Sequence, residues 1–161
     1  MEANYSLLNK QLNVLTKTTT NNISILANVS ALLFHELSDV SWVGFYLCAN
    51  NHLELGPFQG KVACTVIPFG KGVCGTSIER NETILVPNVH EFPGHIACDS
   101  ASNSEIVVPI FLNNEVVAVL DLDSTSLNRF TEEDKIGLED ISATIATSFA
   151  KEQFKIWKSY I

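Results

Sequence analysis

Three cysteines of this chain lie in segments that glycine and proline mark as loops, namely Cys64, Cys74 and Cys98. Cysteines inside helices or strands usually fill space, whereas cysteines in loops beside groups that move protons are typical of thiol chemistry. A nucleophilic thiolate would need a second, resolving sulfur within disulfide reach, a Cα separation of roughly 4.4–6.8 Å. The loop positions permit this chemistry without showing which thiol attacks.

Two other interpretations of these cysteines stay open from the residues alone. Free cysteine is among the most buried residue types, so all three could simply fill the core. A metal site is the weaker interpretation, because separations of ten and twenty-four residues include no closely spaced pair of the kind that structural zinc sites use. His90 and His95 precede Cys98 and could add ligands or move protons, but we expect them to order the loop. Cys48 ends an apolar run and is interpreted as structural.

Acidic residues form the second set of candidate functional groups. Glu105 begins one predicted strand, and Asp121 and Asp123 end the next. If these strands pair as a hairpin, Glu105 and Asp123 lie at the same end, while Asp121 and Asp123 share a face because strand side chains alternate. Clustered carboxylates can bind an ammonium group, and one of them can be held protonated to act as an acid. The alternative is a solvated sheet rim, and we favour function.

The elements that must position these groups begin and end with helices. Within residues 1–37, apolar residues recur at helical spacing in two pieces, which the polar run Thr18–Asn22 separates. A short helix is expected at Gly72–Arg80. Thr131 begins a long C-terminal helix, because a threonine followed by acids resembles a capping box and suits the helix dipole. The buried stripe of that helix is expected to be Leu138, Ile141, Ile145 and Phe149.

The middle of the chain predicts strands joined mostly by hairpins. Trp42 and Tyr46 share a face of the first strand, where they either belong to the core or wall a pocket. The long segment Asn88–Ser104 is predicted to be an irregular loop, and a loop of that length is more often functional than idle. Helices around such strands imply an antiparallel sheet with helices packed on it. The predicted strands are Trp42–Leu47, one that begins with His52–Leu55, Ala63–Ile67, Thr83–Val86, Glu105–Leu112 and Glu115–Leu122, the last two joined across Asn113-Asn114.

Composition limits the classes of function. The 161 residues suit one domain, and 46% hydrophobic residues can bury a core without disulfide staples. A net charge of -8 argues against nucleic acid and anionic membranes as partners. We see no secretory signal and no run of roughly 18 apolar residues, so a cytoplasmic location is expected. In that reducing compartment the cysteines would be thiols at rest.

The motifs together resemble those of the free methionine-(R)-sulfoxide reductases, enzymes built on a single GAF domain. The likeness runs from about residue 40 to 150, so that residues 1–37 contribute only N-terminal helices to a single domain over 1–161. The combination of motifs is far more specific than a generic GAF domain. The matching segments are Trp42–Tyr46, Leu55–Gly60, Cys64, Gly70–Gly75, Phe92–Ser102, Ser104–Pro109 and Leu120–Ser124.

The resemblance implies an α+β GAF fold, a six-stranded antiparallel sheet with N- and C-terminal helices packed on it. It also implies reduction of the R epimer of free methionine sulfoxide, with no bound cofactor or metal, thioredoxin as external reductant and, as relatives suggest, a homodimer. The implied roles are Cys98 as nucleophile, Cys64 as resolving thiol, Cys74 as additional resolving or relay thiol, Trp42 and Tyr46 as pocket aromatics, and Glu105, Asp121 and Asp123 as pocket carboxylates.

In the implied reaction, Cys98 attacks the sulfoxide sulfur while Glu105 or Asp123 supplies a proton to the oxygen. A GAF domain that only binds a small ligand as a sensor is the alternative. A peroxide-sensing thiol switch is a third hypothesis. The sensor hypothesis requires neither three thiols nor a carboxylate trio, and this chain has both. The thiol switch would react fast with peroxide but form no methionine.

Overall fold

A computed structural model describes residues 3–96 and 98–149. Four α-helices and one short 3₁₀ turn, Val89–Glu91, lie within these residues. The helices are α1 (Tyr5–Thr16), α2 (Asn22–Glu36), α3 (Gly72–Arg80) and α4 (Glu132–Ser148). None of the helices that the structure describes is long and apolar enough to cross a membrane.

Side chains at the helix starts explain where three of these helices begin. The Asn4 side chain accepts from the backbone N–H of Leu7, and Asn21 does the same for the start of α2. At α4, the Thr131 hydroxyl accepts from the N–H of Asp134, whose carboxylate accepts from the N–H of Thr131, as the predicted capping box requires. Tyr5 then joins α1 to α4, because its hydroxyl donates to Asp134 Oδ1 at 2.6 Å.

Six antiparallel strands form one sheet in the order β3-β2-β1-β6-β5-β4. The strands adjacent in the chain pair as hairpins at β1–β2, β2–β3, β4–β5 and β5–β6, while β1 pairs with β6 across the middle. The strands are β1 (Trp42–Cys48), β2 (His52–Gln59), β3 (Val66–Pro68), β4 (Ile84–Val86), β5 (Ser104–Leu112) and β6 (Glu115–Ser124).

The predicted elements are all present, and four of the six strands lie within two residues of their predicted bounds. β2, for which the sequence predicted only the start at His52–Leu55, continues through Gly56-Pro57 to Gln59, because the pairing with β1 contains an irregularity between Gly44 and Tyr46 that leaves Pro57 outside the ladder. β3 is Val66–Pro68 rather than Ala63–Ile67, and the segment before it is a loop.

The two faces of the sheet bury different kinds of side chain. One face packs against α1, α2 and α4 with fully buried aliphatic side chains such as Leu33, Ile106 and Leu120. The other face carries Trp42, Tyr46 and smaller residues, and it is covered by α3 and by the loops before β3 and β5. Loops cover a sheet less completely than helices do, so this second face retains a cavity.

Candidate active site

Three carboxyl groups meet on the cavity face of the central strands. In the β5–β6 hairpin, Glu105 pairs with Asp123, and Val107 pairs with Asp121. Asp121 and Asp123 are two residues apart on β6 and therefore point to the same face. All three carboxyl groups line the cavity. Sheet pairing thus places three acids together that are separated by up to eighteen residues in the chain.

Burial and mutual repulsion make these acids hard to ionise. Glu105 and Asp121 are 7% and 5% exposed. Burial, and secondarily the charge of Asp123, raises the pKa of both carboxyls well above the ordinary range. Burial raises the pKa of Asp123 to about 6, and a hydrogen bond from Ser102 together with the nearby His95 limits that rise. These raised pKa values favour the protonated forms of the carboxyls, which can then act as acids.

A disulfide joins Cys64 and Cys98 at the mouth of this cavity, with 5.3 Å between the Cα atoms. Cys64 lies in the loop between β2 and β3, and Cys98 lies in the loop between β4 and β5. Both sulfurs belong to side chains that are partly exposed. The structure therefore brings two loops together across 34 residues of sequence, with the sulfur of Cys98 beside the carboxylates.

Cys74 occupies a different environment from the other two cavity cysteines. It lies in the first turn of α3 and is buried, so the interpretation of Cys74 as a loop residue is wrong. Burial first, and then the negative charge of Asp121 and Glu105, raises the pKa of its thiol well above the usual value. Cys74 is therefore a protonated thiol in the disulfide form, in contact with the acids rather than with solvent.

Stacked aromatic rings close one side of the cavity. The ring of Trp42 stacks with that of Tyr46, with 5.9 Å between the ring centroids. It also stacks with the ring of Phe58, at a centroid distance of 5.3 Å. The Tyr46 hydroxyl donates to the carbonyl of Cys64 at 2.9 Å. Gly44 has no side chain because a Cβ there would collide with Trp42 and Phe58. The aromatic wall and the disulfide loop are thus held together directly.

Comparisons with known proteins agree with this geometry. The GAF domain family matches residues 17–149. The free methionine-R-sulfoxide reductase of Escherichia coli (strain K12) is 49% identical over 151 residues, which is 94% of this chain and 92% of that protein. This chain belongs to the free methionine-R-sulfoxide reductase family.

Solved structures of the family are equally similar. The reduced form of fRMsr of Staphylococcus aureus is 50% identical, with a TM-score of 0.89 over 92% of this chain and 97% of that chain. The same reductase in complex with its substrate is 49% identical, with a TM-score of 0.89 over 93% of this chain and 98% of that chain. The predicted family and the predicted α+β GAF fold are therefore confirmed. A single domain over residues 1–161 stays a prediction, because residues 150–161 lie outside the described residues.

The structure brings together every residue that the family resemblance assigns to the pocket. The residues that line the cavity or stand at its mouth include Trp42, Tyr46, Cys64, Cys74, Cys98, Glu105, Asp121 and Asp123. Their roles in this family member stay predictions.

Two histidines of the same loop occupy different environments, although the sequence predicted the same role for both. His90 is exposed, and its Nε2 lies 2.7 Å from Asn103 Oδ1, as expected for a residue that orders the loop. His95 instead lines the cavity, with its Nε2 3.6 Å from Glu105 Oε2. Burial lowers the pKa of His95, so the imidazole is held mostly neutral beside the acids.

Phe58 belongs to the aromatic wall of the pocket, but no role of its own was assigned to it from the sequence. The sequence predicts only that a strand begins at His52–Leu55, so Phe58 was not assigned to either face of the sheet. The irregular pairing near Gly44 turns it toward Trp42. A strand predicted to continue through Gly56-Pro57 would have indicated that Phe58 belongs to the pocket wall.

Proposed function

We propose that this chain reduces free methionine-(R)-sulfoxide to methionine by thiol chemistry. The observation that carries the proposal is the Cys64–Cys98 disulfide beside a buried cluster of three acids and an aromatic wall. A disulfide of this kind is the oxidised end product of a nucleophilic thiol and its resolving partner. The similarity to a reductase solved with its substrate supports the same assignment.

The reaction begins when the thiolate of Cys98 attacks the sulfur of the sulfoxide. The sulfoxide oxygen leaves only if it receives a proton, and Glu105 and Asp123, whose pKa values are raised, are placed to deliver it. Methionine departs with its sulfur reduced, and the oxygen stays on Cys98 as a sulfenic acid. His95, next to Glu105, can return a proton from the loop side.

Cys64 then restores the enzyme. Its thiol attacks the sulfur of the Cys98 sulfenic acid, the S–S bond forms, and the hydroxyl leaves as water. The disulfide must next be reduced to two thiols by an external dithiol, and we assign that role to thioredoxin. Val62, 88% exposed, and Ile96, 37% exposed, flank the disulfide and offer an apolar surface to such a partner.

The acids also account for selection of a free amino acid. An α-ammonium group is costly to bury without partners. Its positive charge favours the ionised forms of the carboxyls that it contacts, so Glu105, Asp121 and Asp123 can pair with it once it enters the enclosed site. A methionine inside a polypeptide has no ammonium group and cannot enter an enclosed cavity. The stacked rings of Trp42 and Tyr46 form the apolar side against which the S-methyl group packs, so the two epimers differ in fit.

The location and assembly that accompany this function are proposals too. We infer a cytoplasmic enzyme, since thioredoxin-dependent recycling needs a reducing compartment. A homodimer is inferred from the family resemblance.

Product analysis with four substrates tests the proposed function. We expect stoichiometric methionine from the free R epimer with dithiothreitol or thioredoxin as reductant, and none from the free S epimer or from either epimer inside a peptide. A protein that binds the R epimer but consumes no reductant would be a sensor. Rapid oxidation by peroxide without methionine formation would identify a thiol switch, and either result would contradict the reductase assignment.

Replacement of Cys64 separates resolution from attack. In Cys64→Ser we expect one methionine per enzyme in a single turnover, because Cys98 still attacks, but thioredoxin-linked cycling should fall to a small fraction of the wild-type rate because no disulfide can form there. The rates of methionine release and of NADPH consumption through thioredoxin reductase measure the two steps. Cys48→Ser is the matched control, since Trp42 and Cys48 lie at opposite ends of β1. Unchanged cycling in Cys64→Ser would show that another thiol resolves.

A further inference from the structure

We propose that Cys74, Glu105 and Asp121 bind one zinc ion inside the pocket. Among the residues that the structure describes, these three offer one ligand atom each, the Cys74 sulfur and one oxygen from each carboxylate, all within 4.8 Å of one another. All three residues are buried, so the groups face each other rather than water. The sequence disfavours a structural zinc site of paired cysteines, and this site is of another kind, since sheet pairing assembles it from one thiol and two acids.

A second observation points to a cationic occupant. The Asp121 carboxyl is only 5% exposed and lies beside Cys74 and Glu105, yet its buried Oδ1 atom has no hydrogen-bond partner among the described residues. A buried carboxylate oxygen without a partner is costly, and such an oxygen lining a cavity indicates that something else satisfies it. The cavity has a volume of about 40 Å³ in the disulfide form, enough for an ion and one or two waters at roughly 10–15 Å³ each.

The donor set favours zinc over other cations. The neutral Cys74 thiol adds little to ammonium binding, whereas its thiolate form suits Zn²⁺; Mg²⁺ and Ca²⁺ prefer six or more oxygens. Zinc binds sulfur at ~2.3 Å and carboxylate oxygen at ~2.0–2.2 Å, so tetrahedral ligands lie ~3.5 Å apart. Small side-chain rotations bring atoms already within 4.8 Å to that separation. His95 is not among the residues whose ligand atoms meet there, so we assign the fourth position to a water.

Zinc in this position would exclude the substrate while leaving the disulfide intact. Coordination displaces the proton of the Cys74 thiol, together with any proton that Glu105 or Asp121 carries, to solvent and changes no oxidation state. Cys64 and Cys98 supply no ligand, so the ion can bind the disulfide form. Binding therefore does not depend on the proposed reductase activity, but inhibition does, because it requires that Glu105 and Asp121 receive the substrate.

The experiment titrates the disulfide form of the full chain with metal in the absence of substrate. We expect calorimetry to show one Zn²⁺ per chain, no matching heat with Mg²⁺, and a sulfur-to-metal charge-transfer absorption when Cd²⁺ replaces Zn²⁺. Cys74→Ser should lose that absorption and weaken zinc binding about 100-fold, and Asp121→Asn should weaken it at least tenfold while keeping the thiol. Cys48→Ser is the matched thiol control and should bind as the wild type does. Circular dichroism confirms that each variant is folded.

Two outcomes would overturn the zinc site. One is zinc binding that is unchanged in both Cys74→Ser and Asp121→Asn, which would place the ion elsewhere. The other is the absence of binding to folded wild-type protein. Inhibition is measured separately, with reduced enzyme and the free R epimer. Zinc that binds through Cys74 but does not compete with the substrate would leave the zinc site standing and contradict the ammonium role proposed for the acids.

Discussion

Cys98→Ser is expected to abolish methionine formation even in a single turnover. Cys98 is the thiol whose sulfur stands beside the carboxylates and forms the disulfide with Cys64. A serine hydroxyl at the same position is a far weaker nucleophile near neutral pH, because almost none of it is ionised. We expect the methionine yield from stoichiometric reduced enzyme and free R epimer to fall by on the order of 10³-fold or more, as for other loss of a covalent nucleophile.

Binding and assembly should survive that substitution, which makes the result interpretable. Serine is nearly isosteric with cysteine, and the carboxylates and the aromatic wall are untouched, so the R epimer should still bind to Cys98→Ser. Calorimetry with substrate measures this, and Cys48→Ser again serves as a control that retains the full single-turnover burst. A burst that survives in Cys98→Ser would reject Cys98 as the nucleophile and direct attention to Cys64.

Asp121→Asn should inactivate the enzyme and stabilise the fold at the same time. Removing one carboxylate from the site proposed for the α-ammonium group is expected to lower kcat/KM by on the order of 10²-fold, since truncating one partner of a buried charge pair costs roughly 2–5 kcal/mol. The free energy of unfolding should rise by about 1 kcal/mol, because a buried acid held for function is costly to the folded state. Steady-state kinetics and urea denaturation measure the two effects.

The pH dependence of this stability gain has a defined sign. Burial, with added repulsion from Asp123 and Glu105, raises the pKa of Asp121 well above its ordinary value of 3.8. A raised folded-state pKa means that protonation stabilises the folded state, so wild-type stability is greatest below that ordinary value and falls as pH rises through the raised one. Asparagine does not titrate. The advantage of Asp121→Asn should therefore be smallest in acid and grow as pH rises.

A matched control keeps this prediction specific. Asp140→Asn makes the same chemical change at an exposed position of α4 and should alter neither kcat/KM nor the pH dependence of unfolding. If Asp121→Asn were less stable than the wild type at neutral pH, then Asp121 would be a stabilising partner of Cys74 or Glu105 rather than a strained functional acid.

Local rules in the sequence were sufficient for the secondary structure and for the chemical types in the site. The threonine cap of α4, the Asn113-Asn114 turn and the alternation on β6 depend on near neighbours in the chain, so the sequence alone predicts them. The family motifs named the eight pocket residues in advance, and the structure places all of them around one cavity.

Tertiary contacts decided which of these groups face each other and in what state. The contact between Cys64 and Cys98 depends on two loops folding over the same face of the sheet, and no local pattern shows this. β2 continues through Gly56-Pro57 because its pairing with β1 is irregular there, and this continuation brings Phe58 onto Trp42. The burial of Cys74 against Asp121, and the placement of His95 rather than His90 at the cavity, follow from packing over the sheet. Burial and mutual charge are sums over a three-dimensional neighbourhood, so the sequence predicted the acids of this pocket but could not predict which of them hold a proton.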